Sequence, residues 1–199
     1  MLDTIKSYVE FVLDHDLEMI ERSGPFTVLE CEEPHHLQGM EVGAARFNFT
    51  YKADRIDRLA DGMVRIVDYK TGKDTPDFSS LDDLFNPHKE NSEKGRRKAI
   101  LQLFLYCYAY LLKHPEINQV MPVIYKIPSM KDSGVRKGSS ASAPQYVFSM
   151  DDADAQDFIA RIGSVVSGIF DQPFRQADEG AKMCDYCRFI DYCRRKPKR

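Results

Sequence analysis

Residues 46–70 read RFNFTYKADRIDRLADGMVRIVDYK, and their alternation decides the fold. Phe47, Phe49, Tyr51 and Ala53 fall on one side of an extended chain, and Arg46, Asn48, Thr50 and Lys52 on the other. A half-buried strand over 46–59 follows. Asp61-Gly62 is a preferred two-residue hairpin loop, so 63–70 is expected to return antiparallel, with Ala60 opposite Met63 and Asp57 opposite Ile66. Residues two apart share a face, which puts Asp57, Ile66, Asp68 and Lys70 on the side of Phe47, Phe49 and Tyr51. Two carboxylates on an apolar face repel each other and lose hydration unless a cation compensates them. As diagonal neighbours about 7–8 Å apart at the backbone end, Asp57 and Asp68 come within joint reach of one hard divalent ion such as Mg²⁺ or Mn²⁺. Lys70 beside them would hold a water or neutralise an oxyanion, and the chemistry indicated is phosphoester hydrolysis.

The flanking sequence supplies an α/β frame for this hairpin. Ile5, Tyr8, Val9, Val12, Leu13, Leu17 and Ile20 recur at three- and four-residue steps and predict an amphipathic helix over 3–21. A β-prone run at 26–31 leads into EEPHHLQG, which reads as a connection. Residues 71–98 lack periodicity and predict a long loop. RKAILQLFLYCYAYLLK (97–113) is apolar on almost every side, as suits a helix buried on a sheet, and places Gln102 and Tyr106 on one face. Strands are expected at 121–128 and 145–150, with a loop between them. A last helix starts near Asp151 and carries Phe158, Ile159, Ile162, Val165, Val166 and Ile169 as its core stripe. The expected organisation is a mixed central sheet flanked by helices over 1–180, followed by a cysteine-rich basic tail, 181–199.

The chain has 199 residues, 43% apolar and 30% charged, enough for one domain with a core. No apolar run approaches the roughly 20 residues of a bilayer span. The first helix lacks the make-up of a secretory signal, so a cytoplasmic protein is expected. A formal net charge of −3 does not announce a polyanion partner, yet basic residues are concentrated locally. Residues 182–199 hold seven Lys or Arg against Asp185 and Asp191, and KGRRK (94–98) leads into the Gln102 helix. Such runs predict sequence-tolerant, salt-dependent contact with a phosphate backbone. Cys184, Cys187 and Cys193 form C-x2-C-x5-C, a spacing that fits zinc or an iron–sulfur cluster. Cys107 lies in the apolar helix, and Cys31 ends the first strand.

The segments R-I-D-R, D-x-K and, about thirty residues later, Q-x-x-x-Y resemble the PD-(D/E)XK nuclease superfamily. More narrowly, they resemble the RecB-like nuclease domain of AddB-type helicase–nuclease subunits. The resemblance implies a restriction-endonuclease-like core in which Asp57 and Asp68 bind Mg²⁺ or Mn²⁺, Lys70 serves the attacking water, and Gln102 and Tyr106 support the site. It further implies Glu30 as an additional acid and the Tyr69 carbonyl as a backbone ligand. Asp54 stands where the pattern usually has glycine, on the polar face by parity, and is expected to be exposed without a role. No histidine has the upstream context of the pattern. Cys184, Cys187 and Cys193 match the closing cysteines of iron–sulfur nucleases, and the upstream fourth is missing. The implied function is exonucleolytic DNA cleavage in a helicase–nuclease that processes double-strand breaks. This chain would be a C-terminal piece with an incomplete or empty cluster. A CRISPR adaptation nuclease and an inactive DNA-holding or docking module are the alternatives.

Overall fold

The computed structural model describes residues 2–42, 45–72, 75–85, 97–127, 129, 133–138, 140, 143–171, 173, 184 and 187–194. The chain runs α1 (Leu2–Ser23), β1 (Thr27–Cys31), β2 (Pro34–Val42), β3 (Ala45–Lys52), β4 (Arg55–Arg58), β5 (Val64–Lys70), β6 (Asp77–Phe78), α2 (Asp82–Phe85), α3 (Lys98–Lys113), β7 (Gln119–Lys126), β8 (Arg136–Lys137), β9 (Phe148–Ser149) and α4 (Ala153–Asp171). Five strands make a mixed sheet in the order β1-β4-β5-β7-β9, with β5 and β7 parallel and the other pairs antiparallel. Parallel neighbours need a crossover, and α3 supplies it. At about 1.5 Å per residue it is roughly as long as the strands it links.

Each face of the sheet has its own cover. Ile56, Val64, Ile66, Val120 and Ile124 pack with Ile100, Leu103, Phe104 and Cys107 of α3, and with Phe148 and Phe158, in the main core. Val67, Val123 and Tyr125 make a smaller cluster on the opposite face, with Val12 of α1 packed against it. The Cys107 thiol is fully buried, which pushes its pKa well up and makes it a core group. α4 buries Ala155, Phe158 and Ile162 and packs Ile159 and Val166 against the core, while Val165 and Ile169 of the expected stripe are exposed.

Two expectations fail in the hairpin region, for physical reasons. The run 46–59 is not one strand: β3 pairs with β2 in a separate two-stranded sheet, and the chain breaks at Ala53 and Asp54 before β4. Its alternation therefore changes phase, with Tyr51 and Ala53 buried and then Ile56, rather than Arg55, in the main core. The β4–β5 loop also holds three residues, not two. Leu59 N–H donates to Met63 O at 2.9 Å, Gly62 N–H donates to Leu59 O at 3.0 Å, and Gly62 takes φ +89°. A turn closed by a left-handed glycine is the usual three-residue hairpin, and here Asp61 Oδ1 also accepts the Met63 N–H at 2.9 Å. Further upstream, EEPHHLQG is no connection, because Pro34–Val42 is a strand. Its pairing shifts between Leu37 and Met40, where Gly39 has φ +63°.

Candidate active site

The added loop residue moves the register by one. Asp57 lies opposite Arg65 rather than Ile66, and Ile56 lies opposite Ile66. A slip of one residue exchanges faces. Asp57, Arg65, Val67 and Tyr69 therefore look toward α1, whereas Asp68 and Lys70 look toward α3. The two aspartates expected to share a metal stand on opposite faces of the sheet.

Asp57 is fully buried and bound by arginine. Arg65 Nε and Nη2 donate to its Oδ1 and Oδ2, both at 2.7 Å, in a bidentate fork, and Arg55 Nε lies 3.1 Å from Oδ2. Arg55 also reaches α1, donating to Asp16 Oδ2 at 2.6 Å and to Oδ1 at 3.1 Å. Tyr125 OH donates to the same Oδ1 at 2.7 Å. Burial opposes ionisation of Asp16, but the hydrogen bonds from Arg55 and Tyr125 prevail and hold its carboxyl below the usual carboxylate range. This network fastens α1 to the sheet, and Asp57 is a structural ion-pair partner within it.

The α3 face carries a different acid. Asp54 precedes β4, and the β4–β5 register continued by one residue past Arg55–Val67 brings it opposite Asp68. Its Oδ2 accepts the Tyr69 N–H at 2.7 Å, which seats the carboxylate on the backbone next to Asp68. Asp54 is partly exposed and Asp68 is 3% exposed. Lys70 Nζ lies 3.1 Å and 2.8 Å from the two Asp68 oxygens and donates to Gln102 Oε1 at 3.3 Å. Gln102 Nε2 in turn donates to Tyr106 OH at 2.6 Å. Parity through an unbroken strand hid Asp54. A three-residue reading of the Ala60-Asp61-Gly62 loop was the signal that could have found it.

The remaining expected ligands separate. Glu30 pairs with Ile56 and so shares the α3 face, but its Oε2 meets His35 Nε2 at 2.6 Å. Lys113 Nζ donates to His35 Nδ1 at 2.9 Å, so Nε2 carries the imidazole proton and Glu30 accepts it. His35 also stacks on Tyr51, which packs against Tyr106. The Tyr69 side chain lies on the α1 face. Cys184, Cys187 and Cys193 are unbridged thiols of intermediate exposure, and Cys31 is exposed at the end of β1. Among the described residues, no three His, Cys, Asp or Glu side chains converge as a metal site. Most of KGRRK and of the basic tail lies outside the described residues.

A family model of the PD-(D/E)XK nuclease superfamily matches residues 2–194. The chain belongs to that superfamily. The mixed five-stranded sheet, with four helices among the described residues, is consistent with the PD-(D/E)XK core; members of the superfamily are generally nucleases and typically use divalent metals. Five chains of solved structures match; one of them, "Crystal structure of SSO0001", is 18% identical, with 93% of this chain and 68% of that chain covered and a TM-score of 0.36. No curated protein matches. Among the described residues, no helix of this nuclease-superfamily chain is long and apolar enough to cross a membrane.

Proposed function

We propose that the chain is a metal-dependent deoxyribonuclease whose site is Asp54, Asp68, Lys70, Gln102 and Tyr106. The observation that carries this reading is the seating of Asp54 beside Asp68 on the α3 face, with Lys70 held between Asp68 and Gln102. Two carboxylates suit a hard oxygen-seeking ion such as Mg²⁺ or Mn²⁺, which keeps several waters and needs few protein ligands. Such an ion, when bound, polarises a phosphodiester toward hydrolysis. The chain's own groups do the rest. Asp54 and Asp68 supply the oxygen donors, with Asp54 fixed by the Tyr69 N–H. Lys70 points its ammonium where an attacking water or a charged phosphate oxygen is met, and Gln102, fixed by Tyr106, holds that amine in place.

Within the superfamily, the order R-I-D-R, D-x-K, Q-x-x-x-Y and the closing C-x2-C-x5-C support an exonuclease domain of a helicase–nuclease that processes double-strand breaks. The substrate is DNA, taken without sequence preference. In this reading, Cys184, Cys187 and Cys193 serve an iron–sulfur cluster that needs a fourth ligand, which iron and zinc analysis of the purified chain tests.

The test of the nuclease assignment is Mg²⁺-dependent degradation of linear single- and double-stranded DNA by the purified chain beside Asp68→Ala and Lys70→Ala. Cleavage by the parent chain and its loss in both variants is the expected result. Equal cleavage in all three overturns the assignment.

A further inference from the structure

α1 is held by a polar clamp with Val12 packed beside it, and leaves most of its apolar residues outside. Asp16 is its buried residue, whereas Leu2 (65%), Ile5 (54%), Val9 (53%), Leu13 (56%), Leu17 (59%) and Ile20 (38%) are exposed. With 3.6 residues per turn these six fall in one stripe about 120° wide along the whole 22-residue helix. Tyr8, Val12, His15 and Met19, less exposed, lie along its sheet-side border, and the buried Asp16 enters the stripe at that margin, between Ile5 and Val9. Val28 of the edge strand β1 is 47% exposed, and its pairing with Asp57 places it on the same side of the sheet. A surface helix in water normally turns its polar face outward. An uncovered stripe of this size marks an interaction surface.

Charge selects what covers it. Along the other border of the stripe run Asp3, Glu10, Asp14 and Glu21, all exposed, outnumbering the exposed Lys6, which lies between Leu13 and Leu17. In an antiparallel pair of two α1 helices these acid rows would meet each other, Asp3 near Glu21 and Glu10 near Asp14, so that pairing with a second copy is disfavoured. The same row repels an anionic lipid surface and attracts a basic border.

We propose that the outer face of α1 is the docking surface for an amphipathic helix of a partner protein whose apolar stripe is bordered by lysine or arginine. The proposal is independent of the nuclease site, which lies on the opposite face of the sheet.

The test uses the full chain and two labelled 22-residue helical peptides with identical leucine stripes, one bordered by lysine and one by glutamate, followed by fluorescence anisotropy. Saturable binding of the lysine-bordered peptide is expected, weakening with salt. Val9→Asp, Leu13→Asp and the switch to the glutamate border should each weaken it by about tenfold or more. Both positions are exposed, so Tm and DNA cleavage stay at parental values, and agreement between the two variants separates a docking loss from a local fold defect. Absence of saturable binding, or equal binding of both peptides, overturns the proposal. So does a dimer in light scattering that Leu13→Asp dissolves, which would make the occupant a second copy. Vesicle flotation that Leu13→Asp abolishes would overturn it in favour of a membrane.

Discussion

The β4–β5 hairpin carries acids and cations on both of its faces, and the two sets are built for opposite ends. On the α1 side, Asp57 takes both arms of the Arg65 fork while Arg55 lies between Asp57 and Asp16. That set is closed, with each charge met inside the protein. On the α3 side, Asp54 rests one oxygen on a backbone N–H and is partly exposed, and the Lys70 side chain is 24% exposed above Asp68 and Gln102. A carboxylate gripped by a bidentate arginine has spent its lone pairs. Asp54, met by the Tyr69 N–H and by its exposed neighbours Glu32 and Lys52 rather than by an arginine fork, keeps lone pairs for an ion. The difference teaches that burial of an acid on a sheet does not by itself mark chemistry, and that the accompanying cation decides.

The largest expected effect breaks this comparison most directly. Asp54→Asn should reduce DNA cleavage by about a hundredfold or more, as removal of a metal-binding or transition-state group commonly does, with Tm within a few degrees of the parent. Mn²⁺ binding measured by calorimetry should weaken in parallel. Asp57→Asn, assayed below its own Tm, should keep Mn²⁺ affinity near the parental value. If Asp57→Asn loses the ion while Asp54→Asn keeps it, the assignment of the two faces is reversed.

Stability should show the inverse pattern. Removing one partner of a buried ion pair leaves the other charged and unmet, at a cost of about 3–5 kcal/mol. For a domain of this size Asp57→Asn should therefore lower Tm by roughly 10 °C. The double change Asp57→Leu with Arg65→Met should recover much of that, because an apolar pair avoids the desolvation of both charges. Failure of the double variant to recover would mean that Arg55 needs the Asp57 carboxylate even when Arg65 is absent.

Much of this frame was legible in the chain, and the reasons differ by element. α1, β1, α3, β7 and α4 all follow from local periodicity, which needs no partner to be read. Gln102 and Tyr106 were placed together by helical spacing alone. The hairpin faces were not legible, because parity is relative and a single residue in the Ala60-Asp61-Gly62 loop exchanges every assignment beyond it. The break at Ala53 and Asp54 added a second phase change that composition does not signal. The outward stripe of α1 was also hidden: its spacing reports an apolar face, and only the tertiary clamp through Asp16 determines which way that face turns.

A pH titration separates the two sets with a smaller effect. Asp16 has a folded pKa held below its ordinary value of 3.8 by Arg55 and Tyr125. Its contribution to stability is thus fully present above that ordinary value and is lost as the pH falls through the lowered folded pKa. Denaturant unfolding of the parent and of Asp16→Asn should show a gap that is constant at neutral pH and closes on acidification below 3.8. A gap that persists into strong acid would show that Asp16 acts by packing rather than by charge.

The smallest expected effect concerns the residue that sets the register. Gly62 sits at φ +89°, and a Cβ added there meets nothing within 4 Å, so Gly62→Ala would cost only the backbone strain of a left-handed alanine, about 1 kcal/mol. Tm should fall by about 2–4 °C. Cleavage per folded molecule should stay at the parental level, because Arg65–Asp57 on one side and Ile56–Ile66 in the core hold the pairing once the chain is folded. Deleting Ala60 shortens the loop to two residues and asks a sharper question: the ladder must either strain or slip by one position. A slip would carry Asp57 out of the Arg65 fork and toward the core, so the shortened chain should lose both stability and cleavage, whereas Gly62→Ala loses only a little of the first.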